Sequence, residues 1–418
     1  MKLLISLSAL LVSVVFVQIG IGSLRPFDTI SGQALGFSAI EIGTIASGHF
    51  FGFLLGCMLS PRLVKRVGHS RAFAVMAGVA VISIIAHPIH PDPWFWTFIR
   101  IFAGFSVAGC YTLIESWLQA KTPNDIRGRT FSIYRIVDMS GQLMANGLIA
   151  TLSAASYVSY NIIAIVMCLS ILPLALTQSK EPELPEAIAI KPVFSFGVSP
   201  LATLGVIVAG LSTATFGSVG PIYASAVGLS IAEIALFLVV SIIGGLMAQM
   251  PAGMLADKFS RRSVLMGFSI AATIVSLVMA SPLSTGAVGT VPTIFILSFL
   301  FGFTTFPIYS ICAAHASDFV RSQDMILLSA SLIFMYAVGA IISPLIAGWI
   351  IEQFGAPMMF TFISMAHFIL MAYTIYRNFA RPVVAFTRRY AYIPRTSLYI
   401  ATIIKGRHKR NDTQHLQD

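Results

Sequence analysis

Apolar runs of about 20 residues, broken by short polar loops, recur from one end of the chain to the other. A backbone in lipid must satisfy its own polar groups, so runs of this length read as spanning helices. They fall near 4–30, 41–60, 72–88, 94–118, 129–152 and 155–177. A second set follows near 200–224, 232–255, 263–282, 291–316, 325–350 and 356–377. The pattern predicts an all-α membrane protein of twelve transmembrane helices. The run after Met1-Lys2 has the outline of a secretory signal peptide, but its length and the spans that follow it favour a retained first helix.

One long polar interruption, Gln178 to Pro200, contains Lys180-Glu-Pro-Glu-Leu-Pro-Glu186 and then Lys191-Pro192, and it divides the spans six and six. The predicted organisation is a helical bundle over 1–177, a linker over 178–199, a second bundle over 200–377 and a basic tail over 378–418. A repeat in one register supports two pseudo-symmetric six-helix bundles. Ala103-Gly104-Phe105 corresponds to Phe301-Gly302-Phe303, Tyr111-Thr112 to Tyr309-Ser310, and Gly141 to Gly339. Duplicated halves of this kind bind their solute between them, near the midplane.

Composition agrees: 57% of residues are hydrophobic and 10% charged, where a soluble domain carries about a quarter charged. The net charge of +10 is not a nucleic-acid signal. Of the 26 Lys and Arg, 23 lie at the termini or in the loops after spans 2, 4, 6, 8 and 10. By the positive-inside rule both termini and the linker are cytoplasmic, which requires an even number of spans. The tail's arginines and lysines, with the apolar stretch Leu398–Ile404, fit a segment drawn to anionic lipid.

Several function classes drop out. The chain has no Gly-x4-Gly-Lys-Ser/Thr run and hence no P-loop. His49, His315 and His367 stand on different spans without a ligand or nucleophile motif. Cys57, Cys110, Cys168 and Cys312 are scattered through apolar spans as small hydrophobes. Neither an enzyme, a metal site nor a cofactor is expected. A receptor or scaffold is the rival to a transporter, but the chain lacks room for a large domain outside the membrane.

Motifs sharpen this. The loop after span 8 reads Gly253-Met-Leu255-Ala-Asp257-Lys258-Phe-Ser260-Arg261-Arg262. It resembles the Gly-x-Leu-x-Asp-Arg-x-Gly-Arg-Arg signature of the major facilitator superfamily, with Ser260 in place of a glycine. The copy after span 2 keeps Leu63, Arg66, Gly68 and Arg71 but has Lys65 where the superfamily has Asp. Arg100-x-x-x-Gly104 resembles the superfamily's arginine motif of helix 4. Lys65, Glu115 and Gly128-Arg129 resemble the YcaD-like branch. The Gly-Pro pattern of antiporter helix 5 is not met, since Gly141-Gln142-Leu143-Met144 has no proline.

The resemblance implies secondary active transport of a small solute by alternating access, in a bacterial inner membrane, by a protein that works as a monomer among membrane lipids. It also implies a cytoplasmic gate in which Asp257 meets the start of span 5, near Arg127–Arg129. A helix N-terminus and guanidiniums both favour a carboxylate. Lys65 cannot make the equivalent contact, so the gate is expected to be asymmetric.

Charges inside spans are costly and usually functional. Here they are Arg25, Asp28, Arg100, Glu115, Arg135 and Asp138, all in the first half. Arg135, Asp138, Gln142 and Asn146 recur at helical spacing on one face of span 5, and Asp138 lies about 14 Å along the helix from Arg129. Arg100, Gly104, Tyr111 and Glu115 share a face of span 4. Two readings stay open. Arg135 and Asp138 form a structural pair, or Asp138 or Glu115 carries a coupling proton with Arg100 or Arg135 as its partner or as an anion contact. A charged first half against an apolar second half suits an amphiphilic or weakly charged solute better than a sugar.

Overall fold

The computed structural model describes residues 2–122, 127–176, 191–281, 290–321 and 324–380. Within them the chain is helical throughout. The first half comprises α1 (Lys2–Ala34), α2 (Ala39–Val67), α3 (His69–Ala86), α4 (Pro93–Lys121), α5 (Arg127–Ile149) and α6 (Tyr157–Leu169, continued by Ile171–Ala175). The second comprises α7 (Pro200–Ala226), α8 (Ile231–Lys258), α9 (Arg261–Ala280), α10 (Val291–Thr305, continued by Ile308–Ser317), α11 (Met325–Phe354) and α12 (Met358–Ala380). The break in α6 falls at Ser170, three residues before Pro173, and that in α10 at Phe306-Pro307; the two prolines have no N–H for the carbonyls of Leu169 and Phe303.

Eleven of these helices are long and apolar enough to cross a membrane among the described residues. The exception is α5, where Arg127, Arg129, Arg135 and Asp138 interrupt the apolar run. Span 5 was expected on the same footing as the others. Its own hydropathy does not carry it, and it packs between α1 of its own half and α8 of the other.

The two halves repeat each other in their caps. Gly36, at φ +81°, leads into the capping box Ser38/Glu41 at the start of α2. Gly228, at φ +87°, leads into Ser230/Glu233 at the start of α8. In each box the serine accepts from the third backbone N–H while the glutamate accepts from the serine's own. This is a further copy of the repeat that the sequence reading passed over.

Paired glycines then set the helix crossings. A Cβ on Gly104 would run into the His49 carbonyl, and one on Gly52 into that of Ile101, so α2 and α4 meet backbone to backbone. Gly302 against Ser241 and Gly244 against Phe299 do the same for α8 and α10. The repeat visible at Gly104 and Gly302 therefore has a packing cause.

Helices α2 and α11 join the halves. Gly43 abuts the Pro344 carbonyl, and Gly348 that of Ala39. Farther along the same seam Ala330 packs on Cys57 and Ala108. On α1 and α7 the Thr29 hydroxyl donates to the Ser218 carbonyl at 2.5 Å. The end of the linker is tied to α11, where Ser331 Oγ accepts from the Ser195 N–H at 2.9 Å and donates to the Pro192 carbonyl at 2.6 Å. The linker's earlier part, 177–190, and the tail, 381–418, lie outside the described residues.

Candidate functional site

A cavity of about 110 Å³ lies between the halves. From the first half α1 contributes Gly22 and Arg25, and α5 contributes Arg135, Met139, Gln142 and Asn146. The opposite wall is Thr213, Phe216 and Gly217 of α7, Leu238, Ser241, Ile242 and Gln249 of α8, and Phe306 at the break of α10. The face of α5 read from its spacing thus looks into this space, with Asp138 set behind it.

Arg135 Nη1 donates to Asp138 Oδ2 at 2.6 Å, one turn along α5. The arginine side chain is 36% exposed and the aspartate 7%. Asp138 Oδ1 also accepts from Gln18 Nε2 of α1 at 2.9 Å. Every partner of the carboxylate is therefore a donor, and one of them reaches the cavity.

Arg100 belongs to a separate, fully buried cluster. Its Nε lies 3.3 Å from Asp28 Oδ2, which is also 3.1 Å from His87 Nε2. Tyr160 donates its hydroxyl to Asp28 Oδ1 at 3.2 Å, and its ring stacks on His87 with centroids 5.2 Å apart. His87 is held in turn, with Nδ1 2.7 Å from the Ser83 carbonyl and its own carbonyl accepting the Trp96 indole N–H at 3.0 Å. The partner of Arg100 is Asp28, not Glu115 or Asp138. Nothing in the spacing links Asp28 to His87 or Tyr160, so sequence reasoning missed both.

Glu115, buried on α4, accepts the Tyr134 hydroxyl at 2.9 Å. Helices α4 and α5 thus meet at Glu115 and Tyr134. Arg25 stands apart: its guanidinium lies 5.8 Å from the Phe50 ring centroid on α2. A smaller cleft, lined in part by Arg25, Asp28 and Arg100, connects it to the buried cluster.

At the end where α2 meets α3 and α8 meets α9, the two motif copies diverge. Gly253 is buried beneath the turn, Asp257 and Lys258 are exposed, and Arg261 and Arg262 are buried. Arg261 Nε lies 3.0 Å from Asp318 Oδ2 of the segment after α10, and Arg262 Nη1 donates to the Arg377 carbonyl near the end of α12. In the first copy Lys65 and Arg66 are exposed and Gly68 turns the chain at φ +85°. Where the second half has the Arg261 ion pair, the first has His69 edge-on to Trp117, centroids 5.8 Å apart. The contact expected between Asp257 and Arg127–Arg129 falls on side chains outside the described residues.

His315 and His367 are packed. His367 Nε2 lies 2.9 Å from Ser212 Oγ between α12 and α7, and His315 sits edge-on to Phe319. The four cysteines are free thiols.

The chain is similar to known transporters. The Major Facilitator Superfamily model matches residues 6–200 and 202–392. The uncharacterized MFS-type transporter YcaD of Escherichia coli O7:K1 (strain IAI39) is 25% identical over 336 residues, covering 80% of this chain and 86% of that protein. YcaD of Shigella flexneri matches over the same shares at the same identity. Among solved structures, the nucleoside transporter NupG superposes with a TM-score of 0.75 at 15% identity, over 88% of this chain and 98% of its own. A bacterial homolog of the human lysosomal transporter Spinster gives 0.73 at 14%, over 90% and 97%. The D-xylose–proton symporter gives 0.64 at 16%, over 92% and 98%. At such identities these structures establish the fold alone, but the family model spans nearly the whole chain. With its paired six-helix halves and the motif at Gly253–Arg262, this chain is a multi-pass membrane protein of the Major Facilitator Superfamily of transporters.

Proposed function

We propose that the chain is a proton-coupled secondary transporter that carries a small solute by alternating access. The supporting observation is the cavity itself, which has Arg25 and Arg135 on the first-half side, a mixed wall of Phe216, Leu238, Ile242 and Phe306 with Thr213, Ser241 and Gln249 on the other, and lies between the two halves. A solute there touches both bundles, so their relative rocking exposes it to one side of the membrane and then the other. The proposed location is a bacterial inner membrane with both termini cytoplasmic, as the basic loops require.

Coupling is assigned to Asp138. A carboxylate takes a proton more readily when the arginine beside it leaves, because that donor favours the charged form. Arg135 both lines the cavity and pairs with Asp138, so a solute that draws Arg135 away changes the proton affinity of Asp138. That link makes solute binding and proton binding one equilibrium. The buried Asp28 cluster is assigned to holding α1, α3, α4 and α6 together rather than to coupling, because none of its members lines the cavity between the halves.

An uptake screen in proteoliposomes, with a metabolite library and an imposed pH gradient, tests the reading. Uptake of at least one solute that rises with the gradient is expected. Gradient-insensitive uptake overturns the coupling, and an absence of uptake for every solute overturns transport.

A further inference from the structure

The three arginines and three carboxylates inside the spans balance in number but not in pairing. Arg100 is matched by Asp28 and Arg135 by Asp138, while Glu115 is engaged by Tyr134. Arg25 is left over. Among the described residues its guanidinium forms neither an ion pair nor a side-chain hydrogen bond, and its one specific contact is the face of Phe50. Besides Arg100 and His49, the titratable side chains that act on it are the phenols of Tyr336 and Tyr111, and neither is a carboxylate.

A cation held inside the span region without a counter-ion is costly, and the cost persists only where something offsets it. Arg25 lines the cavity and also the cleft toward Asp28. Its Nη1 points across the interface at α7, where a Cβ on Gly217 would lie 3.8 Å away. With no side chain at Gly217, the space beside the guanidinium stays open. The planar fork, laid over an aromatic face, suits a carboxylate that accepts two parallel hydrogen bonds. Phe216, Leu238, Ile242 and Phe306 offer an apolar bed on the same side of the cavity.

We infer that the solute is an amphiphilic organic monoanion whose carboxylate is the counter-ion of Arg25 and whose apolar body lies along α7 and α8. This inference rests on the transport reading and adds the charge and polarity of the cargo.

The test builds the missing anion into the protein. Gly217→Asp places a carboxylate next to Arg25, with Gly217→Ala as the steric control. In purified full-length protein, Gly217→Asp is expected to melt at or above Gly217→Ala, and in an Arg25→Gln background to melt several degrees below it. Octanoate and benzoate, used as probes beside octanamide and benzamide, should raise the melting temperature of the wild type and of Arg135→Gln more than the amides do. That preference should vanish in Arg25→Gln and in Gly217→Asp. Equal stabilisation by amides and acids, a preference that survives Arg25→Gln, or no shift with any acid overturns the inference. Transport itself is read separately, from uptake in the proteoliposome screen. Uptake of a neutral or cationic solute that Arg25→Gln leaves intact would keep the transport reading and discard the anion.

Discussion

Arg135 and Asp138 are joined by a 2.6 Å hydrogen bond one turn apart on α5, and of the two only the arginine reaches the cavity. The pair therefore has one end fixed and one end within reach of a solute. Removing Asp138 leaves a partly buried arginine uncompensated, and breaking a buried pair costs up to about 3–5 kcal/mol. Exposure of Arg135 reduces that, so a loss of about 1–3 kcal/mol is expected for Asp138→Asn. The double variant Asp138→Asn, Arg135→Gln should regain most of the lost melting temperature without regaining gradient-driven uptake. Recovery of gradient-driven uptake in the double variant would make the pair structural only.

The Asp28 cluster predicts a steeper dependence. Asp28 is contacted by Arg100, His87 and Tyr160 with no exposure to the cavity. Asp28→Ala leaves a buried guanidinium without its counter-ion and should cost about 3–5 kcal/mol, read as lost thermal stability or lost expression. Arg100→Lys should not restore wild-type stability, because an ammonium on a flexible stem does not reproduce the oriented guanidinium contact. Wild-type melting for Asp28→Ala would remove the cluster from the structural core.

The motif copies predict an asymmetric gate. The second copy holds the buried Arg261–Asp318 pair, and the first has an edge-on contact between His69 and Trp117 in its place. Asp257→Asn is expected to impair transport at normal expression, and Lys65→Ala to do less harm. Asp318→Asn should destabilise more than His69→Ala, since it removes the counter-ion of a buried guanidinium. The reverse order in either comparison would refute the asymmetry.

Glycine substitutions separate packing from composition. Gly104→Ala and Gly302→Ala push a methyl group into a facing carbonyl and should each destabilise by about 1–3 kcal/mol or prevent assembly. Gly147→Ala on α5 meets open space and should be neutral or stabilise by about 0.5–1 kcal/mol. Melting curves of the three variants in detergent check the ranking.

Orientation has its own test. A reporter active only in the cytoplasm, fused after Asp418, should be active because the basic residues crowd that side. A well-expressed but inactive fusion would overturn the even count of spans and the placement of the linker.

Much of the architecture is a local property of the chain, and so it was legible before any coordinates. Spanning runs depend on summed hydropathy, and the predicted bounds match the helices to within a few residues, except that α2 continues to Val67 where its span was expected to end near 60. The two-half repeat at Gly104 and Gly302 and the motif at Gly253–Arg262 are likewise written in contiguous residues, as is the α5 face carrying Arg135, Gln142 and Asn146. What only the tertiary structure decided is partnership. Arg100 could have met Glu115 on its own helix face, yet the approach of α1, α3 and α6 gives it Asp28 beside His87 and Tyr160. Arg25 and Asp28 are one turn apart and read alike in the sequence, but one is buried among three donors and the other faces a cavity without a carboxylate. The same holds for α5, which was expected as a span like the others but whose polar residues leave it to be held by α1 and α8. Ionic pairing acts over a few ångströms, and those distances are set by where helices far apart in the chain cross. Glycines that let backbones touch fix the crossings, and the crossings decide which charge is matched and which is left for a ligand.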